Sequence, residues 1–485
     1  MSISKQLRRV SIVVLLMFTA LFVSTSVIQV VSADELRDDP RNSRTFYANA
    51  SVNRGPILVD GEAVAYSVPT GETIAYQRVY ENGPLYAPVT GYYTIGQGNT
   101  GLEAEMNDVL TGASGGQFFD QVRAVLTGQK PQGAAVETTI DPVVQQAMWD
   151  ALGDYMGAAI AIEPDTGRIL GMVSKPSYDP NVLANHDTEA VIDAYAQLID
   201  DPGDPLINRT MNGDLDPPGS TFKLVTAAAA LETGKYTPDS AFPNPSALML
   251  PQSSRVIHNW NYQTCGGGET ATIADAIRLS CNIPMAELGR ELTYRTIREQ
   301  ALKFGFDASV DVPMASTPSI YPRVLDDAQT MLSAFGQSDV RASPLQMAMV
   351  GMAIANGGKI MQPTLVDAVV APDQSTLSSF EPSVYSEAIS ARTATQLTAM
   401  MEASVVDGAA STAAIDGVRV AGKTGTAENG DDPYSFWFVG FAPVEDPEVV
   451  VAVVIQDGAG LGQDGTSSGT SAPVGRQMIE AVISR

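Results

Sequence analysis

Histidine and cysteine are almost absent from this 485-residue chain, which has two of each: His186, His258, Cys265 and Cys281. So few, so scattered, make no zinc-binding spacing. Two histidines in unremarkable surroundings also give a Ser-His-Asp triad little to build on. Positive charge is scarce too. Against 55 acidic residues stand 29 basic ones, a formal charge of −26 with no long block of one sign. A polyanion such as DNA is repelled by such a chain, so nucleic acid is not an expected partner. Charged residues make up 17% and hydrophobic ones 44%, the proportions of a folded chain with room for two or three domains.

One uncharged run, Val10 to Ala33, follows Lys5, Arg8 and Arg9 and precedes Asp34 and Glu35. It exceeds the ~20 residues that a membrane-spanning helix needs. The basic flank predicts a cytoplasmic tail at residues 1–9, a single-pass signal-anchor at 10–33, and the remainder outside the cytoplasmic membrane. Val31-Ser32-Ala33 would suit cleavage of a signal peptide, but the run is longer than the roughly 7–15 residues of a signal core. In an oxidising compartment the only two cysteines, Cys265 and Cys281, are expected to form a disulfide that contributes on the order of 3 kcal/mol. Two buried free thiols are the alternative.

Residues 34–135 hold short alternating stretches such as AVAYSV and IAYQRVY, broken by Gly and Pro, which predicts a small β-rich module without catalytic groups. TGQKPQG, from Thr127 to Gly133, reads as the hinge to a second domain at 136–485. There, Asp141-Pro142 opens a helix. AAIAIE and RILGMVS flank a PDTG turn as a strand pair. A long, mainly helical stretch runs from about Pro180 to Thr412, and then strands return in GVRVAGKTGTA, SFWFVGFA and VVVAVVIQ before a terminal helix. Two strands, a helical insertion, three strands and a helix predict an α+β domain with a five-stranded antiparallel sheet covered by helices.

Gly417 to Thr424 match the pattern of an ATP-binding P-loop letter by letter. That loop must open a helix whose N-terminus receives phosphate. Here Gly425, Gly430 and Pro433 leave no room for a helix, and the flanking residues alternate as a strand does. No nucleotide or other cofactor, and no metal, is expected.

Three other groupings carry chemistry. In DLDPPGSTFKLVTAAAALETGK, Ser220 stands at a helix start with Lys223 three residues on, on the same face. A serine hydroxyl needs a base beside it, and a lysine serves only if burial or a second cation lowers its proton affinity. Lys423 is the candidate second cation. Ser280-Cys281-Asn282 falls on a turn between two helices, where a hydroxyl could relay a proton and an amide could hold a substrate carbonyl. In Lys423-Thr424-Gly425-Thr426 the two threonines share a strand face, and Gly425 clears space for a substrate backbone. Each short motif alone is weak: Ser2 and Lys5 repeat the first, and Ser51-Val52-Asn53 repeats the second.

Together and in this order the three match the active-serine set of penicillin-binding proteins and β-lactamases. RGPILVDGEAVAYS, TGLEAEMNDVLTGASG, TTIDPVVQQAM, INRTMNGDLDPPGSTFK and AGKTGTAENGDDPYSFWFVGFAP narrow the likeness. The chain resembles class B penicillin-binding proteins over nearly its whole length from residue 34, and among them the short members of actinobacterial type. The resemblance implies a peptidoglycan D,D-transpeptidase with a non-catalytic pedestal or dimerisation-type module at 34–135 and no glycosyltransferase domain. It implies Ser220 as nucleophile, Lys223 as base, Ser280 with Lys423 as proton relay, Asn282 on the substrate amide, and Thr424, Gly425 and Thr426 at the terminal carboxylate. It further implies stem peptides ending in D-Ala-D-Ala as substrates, β-lactams as inhibitors, and a SEDS-type glycan polymerase with division or elongation proteins as partners. A D,D-carboxypeptidase, a β-lactam sensor and a division scaffold are the alternatives, and the Glu-x-x-Leu-Asn pattern of one β-lactamase class is absent. Because Cys281 is the middle residue of the second motif, a disulfide there would tie Ser280 and Asn282 to the NYQTCGGGE segment.

Overall fold

A computed structural model describes residues 3–32, 52–71, 74–114, 132–213, 215–430 and 432–485. Most of the expected hinge, and the stretch from Ala33 to Ser51, lie outside the described residues. At the N-terminus Ile3–Ser26 is α-helical and runs into a π-helical turn, Val27–Val31. Within it Arg9–Gln29 has a mean hydropathy of 2.4, and Leu15, Phe18 and Phe22 are exposed. Twenty-one residues of helix rise about 31 Å, the thickness of a bilayer's hydrocarbon core. This apolar helix suits a membrane anchor.

Five antiparallel strands form the central sheet: β1 (Gly157–Ile162), β2 (Ile169–Lys175), β3 (Ala421–Asn429), β4 (Asp432–Ala442) and β5 (Val449–Ile455). Their order is β3-β4-β5-β1-β2, so the first two and last three strands of the domain meet where β5 pairs with β1. Alternation divides the side chains. Ala159, Ala161, Phe438, Val451 and Val453 join one core cluster with Val144, Met148, Met478 and Ile479, from the helices α1 (Pro142–Leu152) and α5 (Ser471–Ile483). Ile160, Trp437, Val439, Val450 and Ala452 join another with Met347 and Val350 of α4 (Pro344–Ala355). With both faces covered, β1 and β5 read as continuous apolar runs, and each fully buried aliphatic side chain contributes roughly 1.5–3 kcal/mol. Asp141 opens α1 as expected, its carboxylate accepting from the N–H groups of Val143 and Val144.

The insertion is less uniformly helical than its sequence suggests. Val366–Val370 and Thr376–Ser379 are strands: the first pairs antiparallel with Ala135–Thr138, and the second pairs with the first at the sheet edge. Ala135–Thr138 in turn lies parallel to Ile57–Val59, so all four belong to one six-stranded sheet of the N-terminal module. The module also contains the helix Gly83–Thr90 and the short helices Gly101–Glu105 and Asn107–Thr111. Its interior holds an ion cluster. Arg54 Nη2 and Arg78 Nε donate to the two carboxylate oxygens of Glu103 at 2.7 and 2.5 Å, with all three side chains buried. Burial pushes the Glu103 carboxyl up, but Arg78 and Arg54 outweigh it and the net shift is downward.

Candidate active site

Ser220 sits on the 3-10 turn Gly219–Phe222, and the α-helix proper, α2 (Lys223–Glu232), begins three residues later. Pro217 and Pro218 set the entry. Gly219 has φ +52°, and a Cβ there would stand 2.5 Å from Thr426 O, so only glycine lets the nucleophile turn lie against β3. The turn is tied on its other side by Gly219 N donating to Gly336 O at 3.1 Å. The Ser220 side chain is half-buried.

Lys223 and Lys423 are fully buried, and neither has a carboxylate partner among the described residues. Lys223 Nζ donates to Ser280 O at 2.7 Å, to Asn282 Oδ1 at 2.8 Å and to Ser280 Oγ at 3.4 Å. Lys423 Nζ donates to Ser280 Oγ at 2.9 Å and to Thr424 O at 2.8 Å. One hydroxyl thus stands between two amines. Ser280 reaches that position with φ +62°, a left-handed conformation that a serine adopts at a cost on the order of 1 kcal/mol. It lies on the turn between Ile273–Arg278 and α3 (Ile283–Lys303), as its sequence implied.

Burial removes water from both lysines and disfavours their charged forms. The Lys423 amine is pushed down to about 7. Lys223 is pushed well below the ordinary lysine range, by burial first and by the charge of Lys423 second. An amine whose proton affinity burial lowers, three residues from a serine on a helix N-terminal turn, is the equipment of a general base.

β3 carries the remaining candidates. Lys423 and Gly425 share one strand face, Thr424 and Thr426 the other. A Cβ on Gly425 would come within 2.9 Å of Pro218 O, Thr221 N and Thr221 Cγ2. The space cleared by Gly425 is therefore filled by the nucleophile turn, not by a substrate backbone as the sequence suggested. Thr426 Oγ1 lies 2.7 Å from Ser467 Oγ, which itself lies 2.5 Å from Gly425 O. Thr424 is buried, its hydroxyl 3.4 Å from Ala409 O. Ser467 escaped the sequence reading because its loop, GTSSGTSAP, has the composition of an ordinary polar connection.

Cys265 and Cys281 are joined by a disulfide with a Cα–Cα distance of 5.7 Å. The bridge ties the Ser280–Asn282 turn to the segment before it. A second tie went unforeseen: Asn282 Nδ2 donates to His258 O at 3.0 Å, and Asn259 Oδ1 accepts from Asn282 N at 3.0 Å. An asparagine in HNWNYQT carries no motif that would have marked it.

A serine beside two buried amines, at the edge of a five-stranded antiparallel sheet, defines the class. Residues 157–480 match the penicillin binding protein transpeptidase domain, and residues 54–136 the penicillin binding protein A dimerisation domain. The chain belongs to the penicillin-binding protein transpeptidase family, in its class B. It is 41% identical to the peptidoglycan D,D-transpeptidase PbpA of Mycolicibacterium smegmatis and 38% identical to that of Mycobacterium tuberculosis, over 98% of both chains in each case. The structure of penicillin-binding protein A from M. tuberculosis as a ceftriaxone acyl-enzyme superposes with a TM-score of 0.86 at 37% identity, covering 90% of this chain and all of that one.

Proposed function

We propose that this chain is a serine peptidoglycan D,D-transpeptidase that cross-links stem peptides through an acyl-enzyme on Ser220 and is inactivated there by β-lactams. The observation that carries the reading is the Ser280 hydroxyl between Lys223 and Lys423, at 3.4 and 2.9 Å. Lys223 takes the Ser220 proton as Oγ attacks the carbonyl carbon of the penultimate D-Ala. Backbone N–H groups of Ser220 and Thr426 receive the developing oxyanion, a contribution of roughly 2.7–4 kcal/mol per donor in acyl transfer. The C–N bond to the terminal D-Ala breaks, and Ser280 with Lys423 passes a proton to the departing amine. Asn282 holds the substrate amide, while Thr424 and Thr426 bind the terminal carboxylate. An amine from a neighbouring stem then attacks the ester, forming the cross-link and returning Ser220.

The N-terminal helix is a single-pass anchor that holds the catalytic domain outside the cytoplasmic membrane, supported by its basic N-terminal flank and by the oxidised cysteine pair. Residues 34–135 form a non-catalytic pedestal or dimerisation-type module and residues 136–485 the transpeptidase domain. Its glycan strands come from a membrane polymerase of the SEDS type, acting with division or elongation proteins, as the likeness to class B proteins suggests. The test is incubation of the full-length protein with a D-Ala-D-Ala stem peptide and an acceptor amine. A dimeric product that disappears in Ser220→Ala supports the proposal. Release of D-Ala with no dimer would make the protein a carboxypeptidase, and labelling by penicillin without turnover would make it a sensor.

A further inference from the structure

Helices normally begin with a residue whose side chain accepts from the first free N–H groups. Asn282 occupies that place at the start of α3 and is of a preferred capping type, yet its side chain makes no capping hydrogen bond. It is engaged elsewhere: Oδ1 accepts from Lys223 Nζ at 2.8 Å and Nδ2 donates to His258 O at 3.0 Å. The cap comes from Asn259. Its Oδ1 accepts from Asn282 N at 3.0 Å and from Ile283 N at 2.9 Å.

Asn259 is itself fully committed. Its Nδ2 donates to Asn244 Oδ1 at 2.9 Å and to Pro245 O at 3.2 Å. Asn244 donates to Cys265 O and Gly268 O at 2.7 and 2.9 Å, and accepts from Cys265 N at 3.1 Å. Both amides are buried, with every donor and acceptor position used. A buried amide pair so completed is rigid, because any rotation leaves desolvated groups unpaired.

We propose that Asn259, braced by Asn244, is a positioning residue for acyl transfer: by accepting from the N–H groups of Asn282 and Ile283 it fixes the start of α3, from which the Asn282 amide holds Lys223. Without it, the N–H groups of Asn282 and Ile283 are left unpaired at the start of α3, and the turn that carries the Asn282 amide shifts to recover partners for them. Lys223 then loses the acceptor that fixes its nitrogen relative to Ser220. The inference rests on the acyl-transfer reading above.

The experiment is rapid-mixing acylation of the full-length protein by a fluorescent penicillin, in wild type, Asn259→Ala, Asn282→Ala and the double variant, with thermal denaturation alongside. In Asn259→Ala the limiting acylation rate constant is expected to fall at least tenfold, since small misplacements of a reacting group carry losses of up to about 10²-fold. The half-saturating penicillin concentration should stay within threefold. In the Asn282→Ala background the same change should cost less than a further twofold, because both act through one contact. Asn244→Ala, which removes only the brace, should give an intermediate loss and serves if Asn259→Ala does not fold. A folded Asn259→Ala or Asn244→Ala that acylates within twofold of wild type overturns the inference. So does an equal loss with and without Asn282. A wild type that takes no label, with Ser220 present, overturns the proposed function itself.

Discussion

Lys423 Nζ lies 2.9 Å from Ser280 Oγ inside the protein, with no carboxylate partner among the described residues to balance its charge. Its amine is held at about 7 against an ordinary 10.5. Keeping it deprotonated at neutral pH therefore costs about 4 kcal/mol, at 1.36 kcal/mol per unit. Its two hydrogen bonds return ~1 kcal/mol each.

Lys423→Met is consequently expected to raise Tm at pH 7 by about 2 °C, from a net gain of ~2 kcal/mol at about 1 °C per kcal/mol for a chain of 485 residues. The same change removes the cation that depresses Lys223. Lys223 then keeps its proton to higher pH, so the acid limb of penicillin acylation moves upward by roughly one pH unit. Differential scanning calorimetry and acylation rates from pH 5 to 9, as an approximate span, check both. A stable variant with an unmoved acid limb would exclude coupling between the lysines.

Ser280→Ala deletes the hydroxyl that both lysines share. Acylation is expected to slow by roughly 10²–10⁴, the usual worth of a positioned proton carrier, with a stability loss of about 1 kcal/mol for the hydrogen bond from Lys423. Stopped-flow fluorescence with a labelled penicillin measures it. A loss below fivefold would move the relay elsewhere.

Gly425→Ala forces a methyl group to within 2.9 Å of Pro218 O and Thr221 N. The nucleophile turn must give way. Loss of about 1–3 kcal/mol of stability is expected from overpacking, together with at least tenfold slower acylation because Ser220 rides on that turn. Chemical denaturation and acylation of the same preparation test whether the two losses occur together.

Glu103→Gln leaves Arg54 and Arg78 buried against a neutral partner. A cost of about 3–5 kcal/mol follows from breaking a buried ion cluster on one side. The folded Glu103 titrates below its ordinary 4.5. Its stabilisation is therefore complete above that value and is lost as pH falls through the lower folded value. Urea melts at pH 7 and pH 4 should show the difference between wild type and variant narrowing toward acid.

The three motifs were legible because each combines a residue type with a local constraint: Ser220 after Pro-Pro-Gly, Ser280 between two helices, Lys423 on an alternating strand. The five-stranded sheet was legible because strands buried on both faces are apolar throughout. Asn259 and Asn244 were not, because their roles lie in hydrogen bonds to backbone atoms 14 to 24 residues away. Gly425 was found for the wrong neighbour, since alternation along a strand says which residues share a face but not what covers it. Val366–Val370 reads as part of a helical insertion because the strand it joins, Ala135–Thr138, lies more than 200 residues earlier.

That last strand makes the N-terminal module and the catalytic insertion one piece of cloth. The seam between Ala135–Thr138 and Val366–Val370 is stitched by backbone hydrogen bonds, so the sheet of the N-terminal module is complete only when the insertion has paired with it. A ribosome that has released only the first 140 or so residues holds a sheet with an open edge. The nascent module waits for the middle of the catalytic domain before it is closed.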